Sequence, residues 1–232
     1  MQGPSIPQAG GERQLGEPDS DCTLCPRLAG FRDSLRAKEP EWHNAPVPSF
    51  GGADARLLIV GLAPGLRGAN RTGRPFTGDF AGDLLYETLI EFGFAAGVYG
   101  ARRDDGLRLV SSAITNAVRC VPPQNKPAPS EISNCRPFLA ATIAAMRHLH
   151  VIVALGRIAH DSVIRAFGLK PGAFPFAHGT EHALVAGSGA SARTIALFDS
   201  YHCSRYNTNT GVLTREMFRA VFAKAGERLI GS

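Results

Sequence analysis

The stretch RLLIVGLAPG at residues 56–65 decides the fold class of this chain. Its first half is a short apolar run that ends at Gly61, and such a run is typical of a strand buried on both faces. A loop rich in glycine and proline then continues to Gly78. Open α/β sheets bind ligands beyond the carboxyl ends of their strands, so this loop is a candidate binding site.

On both sides of this strand, apolar segments alternate between the spacing of buried strands and that of amphipathic helices. The other predicted strands span 111–118, 151–155 and 194–198. The predicted helices span 84–92, 130–146, 156–167 and 213–229, and Ser130 is expected to cap the second. This βαβαβα order predicts an α/β fold, a three-layer α/β/α sandwich with a mostly parallel central four-stranded sheet.

Composition limits the classes of protein to which the chain can belong. Its 232 residues are 44% hydrophobic and 19% charged, which excludes a wholly disordered chain and fits one globular domain. We interpret residues 1–20, rich in Gly, Pro, Gln and acidic side chains, as a flexible tail and 21–232 as the domain. We find neither a secretory signal nor an apolar run of roughly 20 residues, and we expect a cytoplasmic monomer with no membrane partner.

The chain contains five cysteines, an odd number that would leave one thiol over in a framework of disulfides. Cys22 and Cys25 form a CxxC pair followed by proline, and fourteen residues separate Cys120 from Cys135. Four thiolates can bind a tetrahedral zinc ion or a [4Fe–4S] cluster, and the spacing alone favours zinc. The alternative of a buried free cysteine fits Cys135, on the apolar face of a predicted helix, better than the CxxC pair.

Three polar loops each follow a predicted strand, so they should converge at one edge of the sheet. The first holds Arg71 and Arg74, which can contact phosphate groups, and Phe76, which can stack on a base. The second holds Asn116, whose amide offers the donor and acceptor that complement the N3–H and O4 edge of a pyrimidine. The third is SYHCSRYNTNTG at 200–211, where a histidine stands among small polar residues suited to an anionic group and a nucleic-acid backbone.

Each of these features also has a purely structural interpretation. The glycines of the first loop can serve a tight turn, Phe76 can be a core residue, and Asn116 can be an ordinary strand-end residue. The net charge of +5, from 25 Lys+Arg and 20 Asp+Glu, suits a polyanionic partner but also describes many proteins that bind none.

Taken together, the motifs resemble those of the iron–sulfur uracil-DNA glycosylases, and within them the family 5 (type B) branch. The resemblance extends from the first cysteine to about residue 211. Its landmarks are the CxxCP pair at 22–26, GLAPG at 61–65, NRTGRPFTGD at 70–79, TNAVRCVPPQNKP at 115–127, NC at 134–135, ALGRIAH at 154–160 and SYHCSRYNTNTG at 200–211. GLAPG alone would be a weak signal, whereas the whole set in this order is specific.

The resemblance implies a substrate, a reaction and a cofactor. The substrate is DNA that contains uracil or another deaminated base such as hypoxanthine, and the reaction is hydrolysis of the bond between base and sugar after base flipping. The cofactor is a structural [4Fe–4S] cluster, in place of the zinc that the spacing favours. Its implied ligands are Cys22, Cys25, Cys120 and Cys135.

The resemblance also assigns roles within the site. It implies that Asp79 is the catalytic carboxylate, that Asn116 reads the edge of the base and that His202 contacts the O2 side of the pyrimidine, and we count all three as catalytic. The other implied substrate-binding residues are Gly61, Leu62, Ala63 and Phe76, which stacks on the flipped base. The predicted DNA-contacting residues are Arg71, Arg74, Ser204, Arg205 and Asn207.

Two positions in these motifs differ from related sequences. Leu62 stands where the sister family 4 has an acidic residue, which leaves Asp79 as the candidate catalytic acid. The alternative role of Asp79 is that of a helix cap. Cys203 stands where the family usually has proline, and we expect the loss of a fixed φ to loosen the loop of His202.

Two other functions are possible for the whole chain. One is a non-catalytic protein that binds damaged DNA. The other is the related type of enzyme that becomes covalently trapped on DNA, but we do not find the basic insert that is typical of that type.

Overall fold

In the computed structural model, which describes residues 16–187, 189 and 192–231, six strands form a central sheet in the order β1-β5-β2-β6-β8-β7. The four inner strands run parallel, and β1 and β7 pair antiparallel at the two edges. A separate antiparallel pair joins β3 to β4. The strands are β1 (Phe50–Gly51), β2 (Leu57–Gly61), β3 (Ala95–Ala96), β4 (Arg108–Leu109), β5 (Ser112–Asn116), β6 (Val151–Leu155), β7 (Glu181–Ala186) and β8 (Arg193–Ser200).

The helices cover both faces of this sheet because its inner strands are apolar on both sides. Leu57 and Ile59 of β2 face one core, and Leu58 and Val60 face the other. Helices α3 and α7 complete the first core, while α4 and α5 complete the second. The helices are α1 (Pro26–Lys38), α2 (Ala69–Thr72), α3 (Phe80–Glu91), α4 (Pro129–Ala145), α5 (Arg157–Ala166), α6 (Arg205–Asn209) and α7 (Arg215–Ile230).

This architecture confirms the predicted α/β sandwich with a mostly parallel sheet, and it adds elements that the sequence pattern did not reveal. The four predicted strands are the parallel inner ones, and the two antiparallel edge strands raise the number to six. Helix α4 begins at Pro129 rather than at a cap on Ser130, because the Glu131 carboxylate accepts a hydrogen bond from the Ala128 N–H (2.6 Å). None of the described helices is long and apolar enough to cross a bilayer.

The end of the predicted flexible tail is part of the folded structure. Residues 1–15 lie outside the described part of the chain, but Glu17 forms an ion pair with Arg119 (2.8 Å) and accepts a hydrogen bond from the Ser49 N–H (3.0 Å). The side chain of Arg119 is fully buried, so its charge requires a nearby anion, and Glu17 supplies one. The tail boundary predicted at residue 20 is therefore wrong for residues 16–20.

Candidate active site

The three polar loops converge as predicted, around a cavity of about 340 Å³ at the carboxyl edge of the sheet. They reach it from the ends of β2, β5 and β8, which are close together because the strands are parallel. Gly61, at the end of β2, lies against Asn116 and Phe76, two residues of the cavity lining. The predicted site residues that line it are Leu62, Ala63, Phe76, Asp79, Asn116, His202, Ser204 and Arg205.

Asn116 and Phe76 meet over the backbone of Gly61. The strand register pairs Gly61 with Asn116, and a Cβ atom at position 61 would lie 2.5 Å from Asn116 Oδ1 and 2.6 Å from the Phe76 ring. Only glycine therefore leaves room for both side chains. The Asn116 side chain is buried, and its Oδ1 has no hydrogen-bond partner among the residues that the structure describes. An unpaired buried acceptor is costly, so a hydrogen bond from a ligand N–H that reached this oxygen would be favourable.

Phe76 reaches this position through an unusual backbone conformation. Its φ is +52°, in the left-handed region that residues with a side chain seldom adopt. The Phe76 carbonyl accepts a hydrogen bond from the Tyr99 hydroxyl (3.2 Å), and a Cβ atom at Gly82 would lie 1.8 Å from that same carbonyl oxygen. The surrounding contacts thus hold the strained residue with its ring at the cavity wall.

Asp79 caps a helix and also lies in the cavity lining, so its position is compatible with both interpretations of the sequence. It is the N-cap of α3, where its Oδ1 accepts a hydrogen bond from the Gly82 N–H (3.1 Å), and its carboxylate also lines the cavity. A Cβ atom at Gly68 would lie 2.4 Å from Asp79 Oδ2, so the glycine makes space for that oxygen. Burial raises the pKa of Asp79 above its ordinary value, while the bond from Gly82 opposes the shift.

His202 lines the same cavity as a neutral ring. Burial lowers its pKa to about 4, because the enclosed site disfavours the imidazolium, so at neutral pH one ring nitrogen carries a proton and the other does not. Its ring centre lies 6.1 Å from that of Phe76, with the two planes 28° apart. Asn207, a predicted DNA contact, uses its amide nitrogen to donate a hydrogen bond to the His202 carbonyl (2.8 Å), which holds the loop.

Cys203 occupies the place of the family's usual proline without leaving the loop loose. Its side chain is fully buried, and its thiol donates to the carbonyl oxygen of Ala81 (3.5 Å) in the first turn of α3. Ser204 caps α6 by accepting a hydrogen bond from the backbone N–H of Asn207 (3.4 Å). The expected loosening of the loop is therefore offset by contacts that tie it to the helix carrying Asp79.

The predicted DNA-contacting arginines fall into two groups. Arg71 is exposed, and Arg205 is exposed at the rim of the cavity with its guanidinium 5.2 Å from the centre of the Phe80 ring. Arg74 is not available to a phosphate, because it is buried and makes a bidentate ion pair with Asp105 (2.7 and 2.8 Å). Its prediction as a DNA contact is wrong, since the pair needs both of its terminal nitrogens.

Five residues that line the cavity were not among the predicted site residues: Gly65, Ala69, Phe80, Ala81 and Asn125. Phe80 and Asn125 both line the cavity, Phe80 from the start of α3 and Asn125 from the proline-rich loop after β5. Asn125 and its neighbour Gln124 both have positive φ, at +56° and +57°. The signal that could have found Asn125 is the position of its loop, which follows the same strand as Asn116 and must reach the same edge of the sheet.

The four cysteines assigned as ligands by resemblance line a second cavity, between α1, α4 and the end of β5. Two of their sulfur atoms accept hydrogen bonds: Cys135 from the backbone N–H of Arg119 (3.3 Å) and Cys25 from the amide of Asn134 (3.7 Å). Burial raises the pKa of Cys135 to about 11 and that of Cys120 to about 12. These groups are therefore thiols unless a metal's positive charge stabilises the thiolates.

Asp105→Asn should destabilise the fold, because it leaves the charge of Arg74 buried without a full counter-charge. We expect the free energy of unfolding to fall by ~3 kcal/mol at pH 7, measured by urea titration. The Arg74 guanidinium holds the pKa of Asp105 well below its ordinary value, so the stabilisation is present at neutral pH and is lost as the carboxylate is protonated in acid. The difference between wild type and variant should therefore shrink at pH 3.

The adjacent Asp104 provides a matched control, since its side chain is 86% exposed. Asp104→Asn should change the free energy of unfolding by less than ~0.5 kcal/mol. Equal losses in the Asp104 and Asp105 variants, or a loss at Asp105 that does not shrink in acid, would contradict this account of the ion pair.

Comparison with known proteins identifies the family. The family model of the Uracil DNA glycosylase superfamily matches residues 48–226. A type-5 uracil-DNA glycosylase of Thermus thermophilus is 45% identical over 216 residues, 90% of this chain and 94% of that protein. One of Pyrobaculum aerophilum is 36% identical over 88% of each chain, and a type-4 uracil-DNA glycosylase of Archaeoglobus fulgidus is 38% identical over 53% of this chain and 55% of its own. The chain therefore belongs to the uracil-DNA glycosylase superfamily, in its type-5 group.

Proposed function

We propose that this protein is a DNA repair glycosylase that flips uracil out of DNA and hydrolyses the bond between the base and its sugar. The observation that carries the proposal is the buried, unpartnered Oδ1 of Asn116 beside an aromatic ring in the cavity. The names of its type-5 relatives describe the same activity. A flipped base supplies what this oxygen lacks, because the N3–H of uracil is a donor on its pairing edge.

Recognition and leaving-group stabilisation use opposite sides of the base. Asn116 accepts from N3–H and donates its amide N–H to O4, while Phe76 stacks on the ring. His202, neutral in its buried site, donates an N–H to the O2 side, where negative charge develops as the bond to the sugar breaks. A donor that needs no change of protonation is already in place before the reaction begins.

Asp79 acts at the other end of the breaking bond. Departure of the base leaves an oxocarbenium-like sugar, and the Asp79 carboxylate stabilises that positive charge or orients the attacking water. Leu62, at the cavity wall, is apolar, so this loop contributes no second acid. The bond from Gly82 fixes one carboxylate oxygen and leaves the other, beside Gly68, free to face the substrate.

Arg71, Ser204 and Arg205 contact the phosphate backbone next to the flipped nucleotide. Arg71 and Arg205 are exposed, and Ser204 and Arg205 line the cavity, so a phosphate beside the base comes within their reach. The cavity also accepts hypoxanthine, because that base presents an N–H beside a carbonyl, the pattern that Asn116 recognises in uracil.

Cys22, Cys25, Cys120 and Cys135 hold a [4Fe–4S] cluster whose role is to stabilise the fold. The four residues line one cavity, and the resemblance to the iron–sulfur uracil-DNA glycosylases favours a cluster there over a single zinc ion. The N–H groups of Arg119 and Asn134 point at two of the sulfur atoms, as expected for bound thiolates. The cluster ties α1 and α4 to the end of the strand that bears Asn116.

Turnover on a uracil-containing duplex tests the proposed function. Wild-type protein should release free uracil in excess over enzyme, and Asn116→Ala should reduce the single-turnover rate by ~100-fold and weaken the preference for uracil over other bases. Asn209→Ala, at an exposed position on α6, is the matched control and should retain the wild-type rate. An adduct stable to denaturant, or a gel shift without product, would overturn the proposal in favour of trapping or of simple binding.

Asp79→Asn separates chemistry from helix capping. Asparagine can still accept from the Gly82 N–H, so stability and DNA affinity should change little, whereas loss of the charge should slow the single-turnover rate by ~10²–10⁴ fold. Because the pKa of Asp79 is raised and its ionised form is required, the wild-type rate should fall in mild acid, and the variant should lack that fall.

Asp83→Asn, an exposed position in the first turn of the same helix, should leave the single-turnover rate within about twofold of wild type. A folded Asp79→Asn protein with a near-normal rate would show that Asp79 is only a cap.

The five cysteines should divide into four ligands and one free thiol. Purified protein should be brown and contain about four irons, and Cys135→Ser should lower the iron content sharply. Cys203→Ser should keep all the iron, because Cys203 is buried in the His202 loop and lies outside the cysteine cavity. Colourless protein with one zinc, or loss of iron in Cys203→Ser, would contradict the assignment.

A further inference from the structure

A buried charged cluster lies behind the loop of His202, outside the cavity. Asp199 at the end of β8 is fully buried, and its two carboxylate oxygens contact different histidines: Oδ1 lies 2.6 Å from His160 Nδ1, and Oδ2 lies 3.0 Å from His182 Nε2. His160 comes from α5 and His182 from β7. Neither histidine lines the cavity, so the reaction as described leaves the cluster without a role.

The contacts of His160 determine its protonation. Its Nδ1 faces the Asp199 carboxylate, and its Nε2 faces the carbonyl oxygen of Phe174 (2.8 Å). Both partners are acceptors, so both ring nitrogens must carry hydrogen, and His160 is an imidazolium paired with Asp199. Burial opposes this charge, but the hydrogen bond and charge of Asp199 outweigh it and raise the pKa of His160.

The same cluster anchors the segment at residues 174–182 against the end of β8. Asp199 Oδ2 also accepts from the Ala177 N–H (3.3 Å), and the Asp199 carbonyl accepts from the Gly179 N–H (2.8 Å). Two residues further along the chain, the Tyr201 N–H donates to His178 Nδ1 (3.1 Å), and the two rings stack at 5.0 Å. The backbone that leads into His202 is therefore held from behind by the segment at 174–182, which the Asp199 side chain helps to anchor.

We propose that Asp199, paired with His160 and His182, is the positioning residue that fixes the aim of His202 at the leaving base. His202 lies three residues after Asp199, and its carbonyl accepts a hydrogen bond from the Asn207 amide. The loop is therefore held at both ends. The proposal rests on the role given to His202 in the proposed function. A displacement of a catalytic group by about 1 Å can cost ~100-fold in rate.

A double-mutant cycle tests the proposal on cluster-loaded protein with a uracil-containing duplex. Asp199→Asn removes the charge but keeps the shape, and it should slow the single-turnover rate by ~10–100 fold while DNA affinity stays within about twofold. In the His202→Ala background the same substitution should slow the reaction less than ~3-fold further, because this variant has no His202 side chain whose position Asp199 could affect.

Two controls separate positioning from general destabilisation. His182→Gln, which keeps one N–H donor, should recover most of the rate lost in His182→Leu. His148→Gln, at an exposed position before β6, should match wild type. If Asp199→Asn does not fold, His160→Gln enters the same cycle in its place.

The outcomes distinguish this proposal from the function on which it rests. A full effect of Asp199→Asn in both backgrounds would overturn the positioning role while leaving His202 catalytic. No loss of rate in His202→Ala alone would overturn the role of His202 and the inference with it. One equivalent of zinc bound to wild type and lost in Asp199→Asn would show instead that the three side chains form a metal site.

Discussion

The pairing of β2 with β5 in parallel register is the constraint on which the site depends. It sets Gly61 beside Asn116, and the missing Cβ of Gly61 lets the Asn116 amide and the Phe76 ring share one small space. Because both strands are buried on both faces, the register cannot slip without exposing the core. The geometry proposed for base recognition is thereby set by the central sheet.

Burial shifts the pKa values of the two side chains that are proposed to act on the base and on the sugar, His202 and Asp79. The same enclosure that keeps His202 neutral disfavours the negative charge on Asp79, yet Asp79 has the N-terminus of α3 and the Gly82 N–H to support its ionised form. In the proposed reaction a neutral donor faces the departing base and an anion faces the sugar. Behind the His202 loop, the imidazolium of His160 pairs with Asp199, so a further pair of charged groups lies next to the site.

The sequence predicted what depends on local pattern and on strand ends. Buried apolar runs located the four parallel strands, and the rule that strand ends share one edge brought Asn116, Asp79 and His202 together. Prediction from the sequence failed where the partner of a charged side chain lies far away along the chain. Arg74 pairs with Asp105, and no local signal shows that this arginine is buried. Glu17, in a polar tail, and the short edge strand β1 depend likewise on tertiary contacts.

The proposed reaction depends above all on a hydrogen bond from the N3–H of a flipped base to the Oδ1 atom of Asn116. A crystal structure of the protein bound to a duplex that carries a hydrolysis-resistant 2′-fluoro analogue of deoxyuridine tests this directly. The account predicts the uracil ring stacked on Phe76, with N3 within hydrogen-bonding distance of Asn116 Oδ1 and O2 directed at His202. A uracil that stays in the duplex, or one that is flipped while Asn116 Oδ1 bonds to another group, would contradict it.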